Sequence, residues 1–415
     1  MKSETRIKTE ESVGLYKPLF IIVLLCSICF WNLKPFPPIF NIYHLIGWSL
    51  CGIAVLLVWN KPGQGFKYPI FLFLFGILAN FFASYKNLQQ TPYESFFSFS
   101  FYYFILIYFL LHFMKLKAGF LENTILVFAF LYSVIFVYQY KAFPRVIFNY
   151  SAQTAIDEKQ FEILGHGFLV LGYLLALNKF LMKYRLIYLG LALVFMLVLF
   201  KCGFRTLIGS ALAASVIMIA RLIRFNIRDM LLGIVVVLGF LALSQYKSVS
   251  RIIDNAISKT ENNMKEGKTY IRNVEKEYYY NVYPRNMSYY VIGGGKPAGR
   301  SLFKFDYDIS TVRLNYNIVW VDIGLIGFYF VVGGITLLGM LWWALKAILS
   351  KLPRSMIYLS FYFLYLLFTA FTNEEMYRDG IFTVQAIALY LVDLGVRKRE
   401  EELEQTEKSV SQQQV

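Results

Sequence analysis

Long apolar runs constrain this chain more than any other feature of its sequence. Runs of about 18 or more apolar residues recur, and each could cross a hydrocarbon layer of about 30 Å as a helix. The 415 residues are 58% hydrophobic and only 16% charged, whereas soluble domains carry about 25% charged residues. Because lipid offers no partner to backbone polar groups, spanning segments must satisfy them internally. The sequence therefore predicts an all-α polytopic membrane protein.

We predict about twelve membrane-spanning helices with one large extracytoplasmic loop between helices 9 and 10. The predicted spans are 17–32, 43–60, 68–85, 96–114, 121–140, 162–181, 185–201, 206–222, 229–245, 317–345, 355–372 and 379–396. The predicted organisation is a cytoplasmic N-terminal tail at 1–16, membrane helices 1–9 within 17–245, the loop at 246–316, membrane helices 10–12 within 317–396, and a cytoplasmic C-terminal tail at 397–415.

Lysine and arginine in the short connections predict the orientation of the helices. Positive charges concentrate in cytoplasmic loops. With the N-terminus inside, the inner connections include Lys61, Lys115, Lys183 and Arg354, while the short outer connections hold few cations. An even number of spans places both termini in the cytoplasm and the large loop outside.

The large loop is itself basic, which the orientation rule does not explain. Lysine and arginine outnumber aspartate and glutamate within 245–316, although the loop is predicted to be external. A basic surface at the outer membrane interface favours an anionic partner such as a phospholipid or a lipid-linked phosphate. The net charge of +15 is otherwise mostly the orientation signal, so we predict no nucleic-acid partner.

Arginines and glycines near the predicted outer face are candidate contacts for a phosphate group. Arg205 lies in the tight outer turn 201–206, where a charge at the membrane edge suggests a function or a snorkelling side chain. Arg272 precedes the glycines Gly293, Gly294 and Gly295, whose amides could approach a phosphate. The other candidate contacts are Arg285, Arg300 and Arg313.

The remaining candidates are groups that could accept a proton. His166 lies near the outer end of the sixth predicted span, and histidine is the usual general base near neutral pH. Asp308 belongs to an Asp-x-Asp sequence, as found in metal-dependent glycosyltransferases, but nucleotide sugars are cytoplasmic. We therefore predict no metal and no other cofactor, and retain Asp308 as a possible base together with Glu374 or Glu375 in an outer turn.

These features together resemble a known family. The order is an outer turn with Arg205, the loop with Arg272, the run of three glycines, the polar-aromatic segment with Asn315 and Tyr316, and Gly324-Leu325-Ile326-Gly327. This order is similar to that of the O-antigen polymerase and O-antigen ligase superfamily, membrane glycosyltransferases with a GT-C-like helical architecture. The resemblance covers roughly residues 165–327.

The resemblance implies a location, a substrate and residue roles. It implies a multi-pass protein of the bacterial cytoplasmic membrane that binds an undecaprenyl-diphosphate-linked oligosaccharide, with a flippase and a chain-length regulator as candidate partners. Arg205 and Arg272 would hold the diphosphate, and His166 would correspond to the opening of an earlier span. Ligases of this superfamily place a His-Asn pair about eleven residues before the first glycine of that motif, where this chain has Arg313-Leu314. The missing histidine favours a polymerase.

Three alternatives remain open at this point. The first is glycan transfer to a lipid acceptor, as in the ligases. The second is a glycosyltransferase that uses a polyprenyl-phosphate monosaccharide, although such enzymes usually carry acids in the first outer loop and residues 32–41 contain none. The third is a non-enzymatic transporter of lipid-linked glycans, which would have charges lining the middle of the membrane.

Overall fold

The chain folds into a bundle of apolar helices. The computed structural model describes residues 16–32, 40–143, 145, 147–148, 150–151, 162–222, 258, 265, 270–298 and 319–413. Its α-helices are α1 (Tyr16–Ser27), α2 (Phe40–Val58), α3 (Lys67–Leu88), α4 (Pro92–Ser98), α5 (Ile107–Met114), α6 (Ala118–Ala142), α7 (His166–Lys183), α8 (Leu186–Cys202), α9 (Arg205–Leu222), α10 (Ile271–Asn281), α11 (Ser288–Val291), α12 (Leu325–Val332), α13 (Gly334–Leu349), α14 (Tyr358–Ala370) and α15 (Ile381–Gln413).

Shorter elements connect these helices. Four 3₁₀ turns occur among the described residues, at Cys29–Asn32, Tyr102–Leu106, Trp320–Ile323 and Arg354–Met356. Two short strands, β1 (Tyr150–Ser151) and β2 (Glu162–Ile163), pair antiparallel just before α7.

The helices have the composition of membrane helices, although they do not establish twelve spans. Among the described residues, α3, α6 and α9 are each long and apolar enough to cross a membrane. A fourth span results if α4 and the segment Tyr102–Met114 count together, with a bend of 64° between them. Five shorter apolar helices accompany them. The predicted span 229–245 and most of the predicted loop lie outside the described residues, so the twelve-span arrangement stays a prediction.

The predicted span 317–345 is not one continuous helix. It consists of the turn Trp320–Ile323 followed by α12 and α13, which are separated at Gly333. Gly333 has a φ of 104° and Gly324 a φ of 58°, a backbone region that residues with a side chain avoid. The two glycines therefore set where this segment turns and breaks.

Small residues bring α3 and α13 into close contact. A methyl group added at Gly76 would collide with Thr336 of α13, and one added at Gly339 would meet the backbone of Phe73 in α3. Small residues at such positions let membrane helices approach until their backbones touch. This contact holds the broken segment α12–α13 against α3.

The two ends of the bundle differ in charge. At one end, here called the basic end, the connections carry the cations that predict a cytoplasmic face; they are Lys61, Lys115, Lys117, Lys183, Arg185, Lys351 and Arg354. Hydrogen bonds tie this end together, from Arg354 to the Leu222 carbonyl at 3.1 Å and from Arg399 to the Leu352 carbonyl at 3.2 Å. The opposite end contains the starts of α7 and α9, the end of α3 and the turn 371–380 between α14 and α15.

Candidate functional site

The candidate site lies at the opposite end of the bundle, about 27 Å along α7 from the basic end. Its residues come from the turn 371–380, the starts of α7 and α9, and the segment 293–298 after α11. The sequence places charged residues in these connections because helix ends expose backbone groups and water can reach them.

The three glycines form a buried backbone junction instead of a phosphate cradle. The amide of Gly294 donates to the Phe330 carbonyl at 2.8 Å, and that of Gly295 donates to the Val331 carbonyl at 3.1 Å. Gly293 has a φ of 80°, and a side chain there would collide with the Val331 carbonyl. The Gly294 and Gly295 amides therefore already have acceptors. Their hydrogen bonds hold segment 293–298 against the end of α12.

Asn80 of α3 fastens this junction from within the bundle. Its side-chain nitrogen lies 2.7 Å from the Ile292 carbonyl and 2.9 Å from the Val331 carbonyl. Its oxygen accepts from the amide of Lys296 at 3.0 Å. Gln90 adds two hydrogen bonds to the same segment, to the Lys296 carbonyl at 3.1 Å and from the Ala298 amide at 2.7 Å. The backbone of Lys296 is thus held on both sides.

Lys296 presents its ammonium group to aromatic rings and carboxylates. The ammonium lies 4.0 Å from the centre of the Tyr102 ring and 5.2 Å from that of Phe99, within the range of cation–π attraction. Burial lowers the pKa of Lys296, and the charges of Asp379 and Glu374 oppose that shift. The site therefore holds a partly desolvated cation whose charge interacts with those of two acids.

Asp379 is the exposed acid of this group. Its side chain is exposed, yet enough protein surrounds it that desolvation raises its pKa, while Lys296 and Arg378 lower it. A carboxylate of this kind is accessible to a ligand and has a proton affinity above that of an ordinary aspartate.

Glu374 is a second acid with a perturbed pKa. Burial, followed by the charges of Asp379, Glu375 and Asp322, raises the pKa of Glu374 to about 8, and Lys296 opposes the shift. The Arg378 guanidinium, 3.0 Å from the Glu374 carboxylate, also favours its ionised form. When several acids share one site, one or more of them can hold its proton near neutral pH.

His166 and Glu375 form a buried pair beside these residues. The His166 Nδ1 atom lies 3.2 Å from Glu375 Oε1, and the other Glu375 oxygen lies 3.6 Å from the Arg378 guanidinium. The Tyr132 ring packs edge-on against the imidazole with ring centres 5.8 Å apart. Only 4% of the His166 side chain is exposed. The pair joins α7 to the turn 371–380 and is more deeply buried than the accessible acids.

Arg205 lies next to the same turn. Its side chain is exposed at the first residue of α9. Both chain neighbours of Arg205 contact that turn. The Phe204 ring lies 5.9 Å from the Arg378 guanidinium, and the Thr206 hydroxyl lies 3.5 Å from that of Thr372. The structure therefore brings the turn with Arg205 to the cluster that contains Glu374, Glu375 and Arg378.

Arg272 has a different environment. In α10 it lies close to Glu275 and Asp322, and its charge lowers the pKa of both acids. Glu275 is fully buried and accepts a hydrogen bond from the Val319 amide at 3.0 Å. The charge of Arg272 thus favours the ionised forms of both acids, against the effect of their burial. The described contacts place it on the Asp322 side of the site and Arg205 on the Thr372 side.

No protein-family model matches this chain, and no curated protein matches it in sequence. The site must therefore be interpreted from its own chemistry. Across the described ranges, no group of three or more histidine, cysteine, aspartate or glutamate side chains could hold a metal ion. The described charged groups fit recognition of an anion and transfer of a proton.

Several sequence candidates fall outside the described residues. They are Arg300, Asp308, Arg313, Asn315 and Tyr316. The sequence analysis named Glu374 and Glu375 but did not single out the Lys296 side chain, Asp379 or Asp322. The available signal was that Glu374, Glu375 and Arg378 occupy one short predicted outer connection, and that Asp379 is the first residue of the predicted span that follows it.

Proposed function

We propose that this protein is a metal-independent membrane glycosyltransferase that polymerises repeat units of a surface polysaccharide. The donor would be an undecaprenyl-diphosphate-linked glycan, and the acceptor a sugar hydroxyl on the outer face of the cytoplasmic membrane. The observation that carries the proposal is the Lys296 ammonium, which lies 4.0 Å from the centre of the Tyr102 ring and interacts electrostatically with Asp379 and Glu374, at the end of the bundle opposite the basic end. The order of sequence motifs supports the same family of reactions.

The chemistry of the transfer suits these groups. The bond between the sugar C1 atom and the diphosphate oxygen breaks, and its electron pair remains on the lipid diphosphate. The acceptor oxygen forms the new bond to C1, and its proton passes to a carboxylate. Lys296 and Arg205 would stabilise the negative charge on the leaving diphosphate, since fixed cations act most strongly where water is excluded.

Asp379 is the carboxylate best placed to accept the proton. Its side chain is exposed, whereas Glu374 is bonded to Arg378 and Glu375 is buried against His166. Its raised pKa makes it a stronger base than an ordinary aspartate. His166 and Glu375 would then fix the position of the turn that carries Asp379.

The test uses membranes of cells that make the lipid-linked repeat unit and depend on this protein for polymerisation. Lys296→Met, Asp379→Asn and Arg205→Ala should each abolish long polysaccharide, with single lipid-linked units accumulating. Lys86→Met and Glu277→Gln, which change exposed residues, should leave chain length unchanged. Full-length chains made by all three site variants would refute the assignment.

The same experiment separates polymerisation from transport. In the transporter alternative, a loss of function leaves the lipid-linked unit on the cytoplasmic side, where an impermeant periodate reagent cannot oxidise its sugars. In the polymerase, the accumulated units are on the outer face and react. Protection of the accumulated units in the Asp379→Asn variant would favour the transporter.

A further inference from the structure

A cavity of about 620 Å³ opens at the basic end of the bundle. It lies between the connection that follows α2, the turn between α5 and α6, and the inner part of α15. Four cations line it: Lys61, Lys115, Lys117 and Arg397. Among the residues that the structure describes, no carboxylate lines the cavity. Such an excess of positive charge attracts an anion.

The start of α6 adds to this preference for an anion. Lys117 precedes the first residue of α6, and no side chain caps the helix there. The first amides of a helix lack partners within the helix, and they carry part of its positive dipole. Lys117 and Ala118 both line the cavity, and a side chain added at Gly119 would meet open space. The start of α6 is therefore accessible at Gly119.

Hydrogen bonds behind the lining residues hold the backbone around the cavity. Asp393 accepts hydrogen bonds from the Gly65 amide at 3.1 Å and the Tyr108 hydroxyl, and it lies 3.1 Å from His112. The Tyr390 hydroxyl donates to the Leu116 carbonyl at 3.1 Å. These bonds join the connection between α2 and α3, α5 with the turn that follows it, and α15, so buried contacts hold the backbone that carries the neighbouring cations.

Two further features suit a lipid headgroup. Gln64 lines the cavity, and its side-chain oxygen is buried without a hydrogen-bond partner among the described residues. Close before Lys61 in the chain, Leu56 at the end of α2 and Trp59 just after it are exposed by 79% and 42%. An acyl chain could lie along such an apolar surface while its phosphate enters the cavity.

We propose that this cavity binds the phosphate group of an anionic ligand at the cytoplasmic face. A lipid headgroup and a soluble phosphate compound share this chemistry, and the exposed apolar surface of α2 favours the lipid. Basic pockets between membrane helices on the cytoplasmic side are suited to anionic lipid headgroups. The site is independent of the glycosyl-transfer proposal, because it lies at the other end of the bundle.

The test measures lipid binding to the purified full-length protein in detergent by native mass spectrometry. Dioleoylphosphatidylglycerol is the probe, and dioleoylphosphatidylcholine is the zwitterionic control. The triple variant Lys61→Gln, Lys117→Gln, Arg397→Gln should bind phosphatidylglycerol about 100-fold more weakly, since each cation near the membrane surface contributes about fivefold. The matched control is Lys183→Gln with Arg185→Gln, which removes two exposed cations of the same end and should retain binding.

A second variant, which is expected to fold normally, separates loss of binding from loss of folding. Gly119→Glu places a carboxylate into open space in the first turn of α6, where a negative charge favours the helix, and it should also abolish selective binding. A separate arm adds pyrophosphate and measures thermal stabilisation. The site is assigned to a soluble phosphate compound if pyrophosphate stabilises the native protein but not the triple variant, and if neither protein binds phosphatidylglycerol selectively. Equal phosphatidylglycerol binding by the triple variant and its control, with no effect of pyrophosphate, would overturn the proposal.

Discussion

The His166 imidazole lies 3.2 Å from the Glu375 carboxylate, with 4% and 0% of the two side chains exposed. The contact joins the first residue of α7 to the turn between α14 and α15, elements separated by about 200 residues of chain. Because Arg378 and Glu374 belong to the same turn, the pair positions one wall of the candidate site. It acts on the accessible acids through the backbone between them.

Replacement of His166 by Phe should strongly destabilise the protein. The change leaves the buried Glu375 carboxylate without its imidazole partner, which costs about 3 kcal/mol. We expect a clear fall in the midpoint of thermal unfolding in detergent. The control is Glu402→Gln, which removes an exposed pair with Lys398 at 3.9 Å and should have almost no effect. Equal midpoints for the two variants would show that the buried pair does not hold the turn.

Gly293→Ala and Gly209→Ala should shift the unfolding midpoint in opposite directions. Gly293 has a φ of 80°, and a methyl group there would collide with the Val331 carbonyl, whereas one at Gly209, in the second turn of α9, meets nothing within 4 Å. The first change should cost about 2 kcal/mol or more. The second should gain about 0.5–1 kcal/mol because alanine favours helix. Parallel shifts would contradict the close contact between segment 293–298 and α12.

The sequence predicted the class of fold because apolar runs of the length of a bilayer have few other solutions. It did not predict the break at Gly333, since a glycine within an apolar run looks the same whether the helix continues or turns. The structure resolves this through Asn80, whose hydrogen bonds to the Val331 and Val332 carbonyls satisfy groups freed by the break. Such a bond spans about 250 residues of chain, and no local pattern contains it.

The candidate site was predictable in location but not in composition. Arg205 and residues 373–378 of the turn 371–380 lie in predicted outer connections, and the two connections adjoin in the structure. The Lys296 side chain was overlooked because the preceding glycines suggested binding through backbone amides. Those amides instead donate to the carbonyls of Phe330 and Val331. Which group of a loop faces a ligand depends on long-range hydrogen bonds that sequence spacing does not contain.

Asn80→Leu should impair both stability and activity. The substitution keeps the volume of the side chain but removes its bonds to the Ile292 and Val331 carbonyls and to the Lys296 amide. Each buried group left without a partner costs about 1–3 kcal/mol. We expect a lower unfolding midpoint and shorter polysaccharide, because Lys296 loses its support. Asn123→Leu on an exposed face of α6 is the control. Normal chain length in Asn80→Leu would show that Lys296 does not need this bond.

Glu275→Gln should remove a pH-dependent loss of stability. Burial raises the pKa of Glu275 from 4.5 to about 7, with Asp322 adding to the shift while the Val319 amide and Arg272 oppose it. The folded protein therefore holds a proton that the unfolded chain releases between pH 4.5 and 7. The contribution of Glu275 to the free energy of unfolding is therefore largest below pH 4.5, and it is lost as the pH rises through 7. The full effect of such a shift is about 3 kcal/mol.

Glutamine separates this charge effect from the hydrogen bond. Its side-chain oxygen can still accept from the Val319 amide, which in the native protein donates to Glu275 at 3.0 Å. The unfolding midpoint of the native protein should therefore fall more steeply between pH 5 and pH 8 than that of Glu275→Gln, with the variant the more stable at pH 8. Glu277→Gln, which changes an exposed acid of the same helix, should follow the native curve. Parallel curves for Glu275→Gln and the native protein would mean that Glu275 is ionised in the folded state throughout this range, held so by the Arg272 charge.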